Sequence, residues 1–518
     1  MTTSAEQTRA TLTTLTDAWS VVFGRTVTAD DDFFACGGTS LLAARLTAEL
    51  RARFGINLSY RTVLTAGTPR RLLDALDSDG SAPTLPAISR AGSGLSVQQQ
   101  AIWLLEQLGT GGIGYNSLAL VRLRGPLDQA RLASALAAVA DRHPAVRWRF
   151  PLDEDGMPTP MTLPTTPPHL SIVDRPAAPT AVVREAGRHA FDLTRESPVR
   201  WTLLRLDDDD HLLLQVEHHF AHDGWSMWIL LEDLANAYRG VVNLGTDTTS
   251  YADYCSWQHA WLDSADAKAQ LRYWAGEIGP ARPPLSWPGE HRRPARFPHL
   301  GGTHQVRLPD ELRNRVAVFA RDVRATPFAV LMAAYAALIG AVCVDEAPVL
   351  GTMMRNRRLP GVDRTVGMFV NTVALGYDGW AGRGLAELSR QTTERLAMGM
   401  DHQEIPFPVV ANHLGAARDP SRNPIFQTCF SMNDWPDTAL DFGPELAVDV
   451  SFPSNGGAKF DIDVVVLPEH RGTTLLWRYS EPLFTHAEAV ALAQRYLVLL
   501  DRGLAAGALP VGALLERM

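Results

Sequence analysis

Two short stretches of this 518-residue chain concentrate side chains that can do chemistry. The first is Glu217-His218-His219-Phe220-Ala221-His222-Asp223-Gly224-Trp225-Ser226. Its three histidines and one aspartate allow three readings. A metal reading notes that His218 and His222 stand four apart, as the two imidazoles do on the helix of an HExxH zinc site. Here the stretch reads as a strand end with Gly224 close behind, and His219 occupies the place of that motif's glutamate, so no metal is expected. A structural reading makes these histidines ordinary core residues. A catalytic reading makes His219 a general base, because neutral imidazole accepts a proton from an amine or hydroxyl near pH 7. Asp223 would then fix the turn that presents it, and Gly224 would let backbone approach closely.

The second stretch is Asp31-Asp32-Phe33-Phe34-Ala35-Cys36-Gly37-Gly38-Thr39-Ser40-Leu41-Leu42. Two glycines permit a tight turn, and a helix follows at Ser40. The start of a helix gathers free N–H groups and the positive end of its dipole, a setting that suits a phosphate ester on the hydroxyl. The same spacing also suits a simple N-cap.

The elements that must position these residues show in the periodicity. Leu12, Leu15, Trp19 and Val22 recur at helical spacing, Leu41, Leu42, Leu46 and Leu50 form a second stripe, and a short helix is expected from Thr68 to Leu76. Residues 78–94 are rich in Gly, Ser and Pro and read as a linker. From Leu95 onward strand and helix patterns alternate, as in an α/β unit. Val199–Leu206 and His211–Phe220 read as a strand pair joined by four aspartates, Asp207 to Asp210, in a solvated turn. A proline-rich break at 279–298 precedes a helical pattern from Leu308 to Val323. The apolar run Phe328–Val344 is short for a membrane span and reads as a buried core helix.

Composition excludes several classes. A net charge of −9 lacks the basic footprint of a nucleic-acid binder. Four scattered cysteines without a CxxC argue against a disulfide framework or a cysteine zinc site. No signal-peptide core opens the chain, and a cytoplasmic protein with no membrane association is expected. Of 48 basic residues only Lys268 and Lys459 are lysines, a bias that fits a GC-rich genome better than an arginine-dependent function.

The N-terminal stretch resembles the attachment motif of peptidyl carrier proteins, D-x-F-F-x-x-G-G-x-S-L. The resemblance implies a four-helix carrier over residues 1–77 with 4′-phosphopantetheine attached to Ser40. With eight acids and eight arginines in this unit, docking is expected to rely on apolar contact more than on an acidic face. The rest of the chain resembles the condensation domains of nonribosomal peptide synthetases. His218-His219-x-x-x-Asp223-Gly224 matches their active-site motif. Leu95–Leu104, Tyr115-Asn116, Leu123–Asp128, Asp141–Phe150, Tyr251–Trp257, Val366–Thr372, His402–Phe407 and Arg418–Pro424 match further motifs in order. Ala101, Pro144 and Gly376 depart from the usual arginine, glutamate and arginine.

This second resemblance implies two chloramphenicol-acetyltransferase-like α/β lobes in a V, with lobes at 95–270 and 271–518 and a tunnel between them. It implies His219, with His218, Asp223 and Gly224, as the catalytic set, and a structural pair between Asp223 and Arg357. The implied reaction joins a donor thioester on Ser40 to the amine of a downstream acceptor carrier protein. An adenylation domain would load Ser40, and a phosphopantetheinyl transferase would prime it. Epimerisation shares the His-His motif, but Gly367–Thr372 has the condensation form. Heterocyclisation needs aspartates in place of the histidines, and binding-only relatives lose them. A terminal condensation domain, releasing product by cyclisation or transfer to a free nucleophile, remains the alternative.

Overall fold

The computed structural model describes residues 11–516 except 78–84, 86–87, 89–93, 108–111, 165–169, 242–248, 281, 289–291, 346, 417–418, 434–438 and 470–471. Most of the expected linker and Arg418 therefore lie outside the described residues.

The N-terminal unit has four helices, α1 (Leu12–Phe23), α2 (Ser40–Phe54), α3 (Tyr60–Ala66) and α4 (Pro69–Asp77). Periodicity singles out three of them; α3 is too short to show a stripe. Trp19, Phe33, Leu46, Leu50 and Val63 close its core. Thr39 caps α2 by accepting from the Leu42 N–H, and Gly55 ends it with φ of 67°.

The remainder opens with α5 (Val97–Gln107), β1 (Asn116–Arg124) and α6 (Gln129–Arg142). A two-residue pair, β2 (Trp148–Arg149) and β3 (Met161–Thr162), precedes β4 (Leu170–Asp174) and α7 (Pro179–Gly187). β5 (Val199–Asp207) and β6 (Asp210–His218) form the expected hairpin, followed by α8 (Gly224–Tyr238), α9 (Tyr251–Leu262) and α10 (Ala265–Ile278). Arg175 pairs with Asp207 and Asp208 and Arg122 with Asp210, so the aspartate turn is a solvated ion-paired corner.

The C-terminal part contains β7 (Gly301–Arg307), α11 (Asp310–Asp322), α12 (Pro327–Cys343), β8 (Val349–Met354), β9 (Asn371–Gly376), α13 (Leu385–Asp401) and α14 (Phe407–His413). It continues with β10 (Thr428–Met432), β11 (Ala447–Ser451), β12 (Ile462–Glu469), β13 (Gly472–Ser480), α15 (His486–Ala505) and α16 (Val511–Leu515). One sheet runs β11-β1-β6-β5-β4 and the other β7-β13-β12-β10-β8-β9.

The expected lobe boundary between residues 270 and 271 falls inside α10. Moreover, β11 leaves the C-terminal lobe and pairs antiparallel with β1, Leu120 opposite Ser451. The strand covers an edge that β1 would otherwise expose, so the lobes interlock and do not divide at one point. Of the run Phe328–Val344, Phe328–Cys343 lies in α12, buried along nearly its whole length and packed against α13 and α15, and Val344 is its exposed C-cap. No single described helix is long and apolar enough to cross a membrane; α11 and α12 reach that length only together and bend by 103°.

Candidate active site

β6 ends at His218, and residues 219–223 make the turn into α8. The register of β6 against β1 places His218 opposite Asn116, and the His219 N–H donates to the Tyr115 carbonyl at 2.8 Å. The two adjacent histidines therefore point different ways. His218 is buried; its Nδ1 accepts from the Phe220 N–H at 3.2 Å, so Nε2 carries the proton, 3.4 Å from Glu106 Oε1. His219 is half-buried, its surface opening inward onto a cavity.

His219 Nδ1 lies 2.7 Å from the His222 carbonyl oxygen, which only accepts. Nδ1 therefore carries the hydrogen, and Nε2 holds the lone pair available to a reacting group. The imidazole is pushed down to about 3, first by burial and then by the charge of Lys459, against the opposing pull of the His222 hydrogen bond. His222 is also driven to about 3 by burial and sits in the core, away from the cavity lining. The 218/222 spacing runs from the end of β6 into the turn and not along a helix, and no cluster of three or more His, Cys, Asp or Glu fit to hold a metal occurs among the described residues.

Asp223 is occupied on both oxygens. Oδ1 accepts from the Ser226 N–H at 2.8 Å, lies 2.7 Å from Ser226 Oγ and accepts from Arg357 Nη2 at 3.1 Å. Oδ2 accepts from the Phe369 and Val370 N–H groups at 3.0 and 3.2 Å. Burial alone would raise this carboxyl, but Arg357 and Ser226 outweigh it and hold Asp223 below the usual carboxylate range. Arg357 also donates to the Val362 and Thr365 carbonyls and packs 4.1 Å from the Phe369 ring centroid. The Asp223–Ser226–Arg357 cluster thus ties the turn after β6 to the 357–370 segment of the other lobe. Gly224, the first residue of α8, borders the same cavity.

The cavity measures about 400 Å³ and is lined by His219, Asp223 and Gly224, and at another point by Ser40. Ser40 reaches it because the helical unit seats against the C-terminal lobe. Ser40 is 8% exposed, with its hydroxyl 3.3 Å from Thr326 Oγ1, the N-cap of α12. Gly37 supplies a φ of 84° before the serine, and a Cβ on Gly38 would fall 2.2 Å from the Phe33 ring. Both glycines are therefore dictated by the turn.

The seating is more polar than the balanced charge of the helical unit implies. Arg324 pairs with Asp32 at 2.6 Å and lies over the Phe34 ring. Arg51 donates to the Arg358 carbonyl, and the Asp401 carboxylate accepts from the Tyr60 and Arg61 N–H groups at 2.8 and 3.2 Å. Sequence reasoning did not single out Glu106, Ser226, Thr326 or Lys459. Ser226 was visible three residues after Asp223, the spacing of an N-cap to N3; Lys459 was visible as a rare lysine among arginines.

Known proteins resemble both parts of the chain. The condensation-domain family matches residues 93–515, and the phosphopantetheine attachment site family matches residues 13–76. The chain belongs to the condensation-domain family, joined to a phosphopantetheine attachment domain. It is 31% identical over 519 residues to a dimodular nonribosomal peptide synthase of Bacillus subtilis (strain 168), covering 94% of this chain and 21% of that one. It is 30% identical over 495 residues to tyrocidine synthase 2 of Brevibacillus parabrevis, covering 91% of this chain and 13% of that one. The chain thus spans about a fifth or less of these relatives.

Among solved structures, the X-domain from teicoplanin biosynthesis aligns with a TM-score of 0.74 at 25% identity, covering 83% of this chain and 99% of that one. Holo-AB3403, a four-domain nonribosomal peptide synthetase bound to AMP and glycine, shares the fold with a TM-score of 0.72 at 22% identity, covering 82% of this chain and 34% of that one.

Proposed function

We propose that this chain forms an amide bond between an acyl thioester carried at Ser40 and the amine of an aminoacyl group on a downstream acceptor carrier protein. The observation that carries this reading is the single cavity lined by both Ser40 and His219. The lining fits a phosphopantetheine arm: Ser40 stands at the start of a fifteen-residue helix, and Arg45, Arg51 and Arg355 border the same space. Bound there, the 4′-phosphopantetheine supplies the thiol that holds the donor.

The chain's own residues then do three things. The seated helical unit aims the donor into the cavity, converting a bimolecular encounter into a local one, an effect worth several powers of ten. His219 accepts the amine proton at Nε2, the ring nitrogen not tied to the His222 carbonyl. Asp223 and Arg357 hold the turn that presents His219 and take no proton, because both carboxylate oxygens are already engaged.

The presence of His219 on the cavity wall, with His218 buried directly behind it in the chain, favours catalysis over a docking-only role. An adenylation domain loads Ser40 and a phosphopantetheinyl transferase primes it. Both need the helical unit to leave its seat, since Ser40 is buried there. None of the four cysteines, all of them among the described residues, is joined in a disulfide, and the reading places the chain in the cytoplasm. Release by cyclisation or by transfer to a free nucleophile would use the same histidine with a different attacking group.

The test is intact-protein mass spectrometry of the primed chain, loaded at Ser40 and mixed with an aminoacyl acceptor carrier. The acyl mass should move to the acceptor as an amide, and Ser40→Ala should take up no arm. An acyl group that stays on Ser40 with a competent acceptor present would contradict the reading.

A further inference from the structure

Lys459, one of the chain's two lysines, stands in the reaction cavity. It sits in the loop before β12, its carbonyl held by Asn423 Nδ2 at 2.7 Å and its neighbours Ala458 and Phe460 buried. From this fixed point its ammonium lies 5.6 Å from the Tyr115 ring centroid. The ring centroid of His219 is 6.5 Å from the same tyrosine, whose carbonyl accepts the His219 N–H. Lys459 and His219 therefore neighbour one aromatic ring and face one cavity. No described residue accepts a hydrogen bond from the ammonium, and no described carboxylate lies within 4 Å of it.

The other charged and titratable groups around Lys459 do not neutralise it. Arg478 on β13 and Asp463 on β12 face it, with the Cys429 thiol on β10. Arg478 spends itself on Asp463 Oδ2, with bonds of 2.8 and 2.6 Å, so those two largely cancel. His219 and His299 stand nearby, as does Tyr115, and Glu106 faces the Tyr115–His299 side and His218. The result is a lone cation turned toward the space where the acyl group must react.

We propose that Lys459 is a catalytic residue of the condensation, donating a hydrogen bond to the donor carbonyl oxygen as that oxygen gains negative charge. The proposal rests on the condensation reading above. As the amine nitrogen forms its bond to the carbonyl carbon, the carbonyl π pair moves onto oxygen, and Lys459 meets that charge. The amine proton passes to His219 Nε2. The oxygen pair then re-forms the carbonyl, the C–S bond breaks, and the departing sulfur takes the proton from His219. Lys459 keeps all its protons.

The same charge also shapes His219. A cation beside the imidazole disfavours its protonation, and Lys459 is the second cause, after burial, of the depressed His219 titration. Negative charge developing on the carbonyl oxygen relieves that repulsion, so His219 becomes a better base as the amine attacks. Burial, followed by the Arg478 charge, lowers Lys459 itself to about 7. The donor ammonium is therefore present below that pH and lost above it.

The experiment compares the primed, Ser40-loaded chain with Lys459→Met and Lys459→Arg. Lys459→Met should lower kcat by about 10²–10³-fold, the cost of removing one oxyanion donor, with KM for the acceptor carrier unchanged. Wild-type kcat should fall as pH rises past about 7, and Lys459→Arg should remove that fall because a guanidinium stays charged. In ¹³C-histidine NMR, His219 should titrate at higher pH in Lys459→Met than in wild type.

A Lys459→Met protein with wild-type kcat would overturn the proposal. So would one whose loss of rate comes with an unmoved His219 titration and an unchanged alkaline limb. If the wild-type chain makes no amide at all, the condensation reading fails on its own. The NMR titration then still decides the electrostatic link, and an unmoved His219 overturns it.

Discussion

Asp223 and Lys459 border the same cavity and carry opposite charges, yet their surroundings differ in kind. Asp223 is surrounded by partners: the Ser226 N–H and hydroxyl, the Arg357 guanidinium and two backbone N–H groups of the opposite lobe. Lys459 has a tyrosine ring below it and no hydrogen-bond acceptor among the described residues. A buried charge whose bonding capacity is filled holds structure. A charge left unfilled beside a cavity is positioned for something that enters. The cluster around Asp223 joins the lobes, whereas Lys459, with His219, faces the cavity.

The largest effect that would test this division is on stability. Arg357→Ala leaves Asp223 buried without its cation, a change that typically costs about 3–5 kcal/mol. Urea denaturation should show that loss. In Lys459→Met a half-buried charge without a hydrogen-bond acceptor among the described residues gives way to an apolar side chain of similar length, so the urea midpoint should stay level or rise. Equal destabilisation by both variants would erase the distinction.

A smaller effect concerns pH. The folded chain keeps His222 neutral down to about 3, whereas an unfolded histidine titrates near 6.5. As pH falls below about 6.5, the unfolded state binds a proton that the folded state refuses. Stability attributable to His222 therefore declines with acidification by at most about 1.4 kcal/mol per pH unit. Replacing His222 by Asn should flatten the slope of unfolding free energy against pH by up to one proton between pH 6.5 and 4. An unchanged slope would show that His222 is not held neutral.

The smallest effect lies at the seat of the helical unit. Arg324 and Asp32 are partly exposed, and such pairs contribute roughly 0–1 kcal/mol. Arg324→Ala should thus shift the seated population modestly, read from NMR signals of the Ser40 region, and leave the melting of the catalytic lobes unaltered.

Much of this was legible in the residues. The turn chemistry of Gly37-Gly38-Thr39-Ser40 and the strand-to-helix break at Asp223-Gly224 are local, so motif and periodicity located them. The pairing of Asp223 with Arg357, expected from family resemblance, appears in the structure at 3.1 Å, 134 residues apart in the chain. What the sequence hid is non-local. Nothing in Ala447–Ser451 announces that it will complete the sheet of the other lobe, because pairing depends on an edge offered by β1. Nor does Lys459 lie near His219 in sequence; only the folded chain brings both to one tyrosine. The short α3 escaped periodicity because seven residues hold too few turns for a stripe.

The central claim is that His219 acts on a donor carried at Ser40 through their shared cavity. Single-turnover transfer from the Ser40-loaded chain to an aminoacyl acceptor carrier tests it most directly, with wild type and His219→Ala compared at equal loading. The account predicts that His219→Ala slows transfer by about 10²–10⁴-fold, the usual contribution of a general base, while its urea midpoint stays at or above that of wild type. Transfer at the wild-type rate by a fully loaded His219→Ala protein would contradict it.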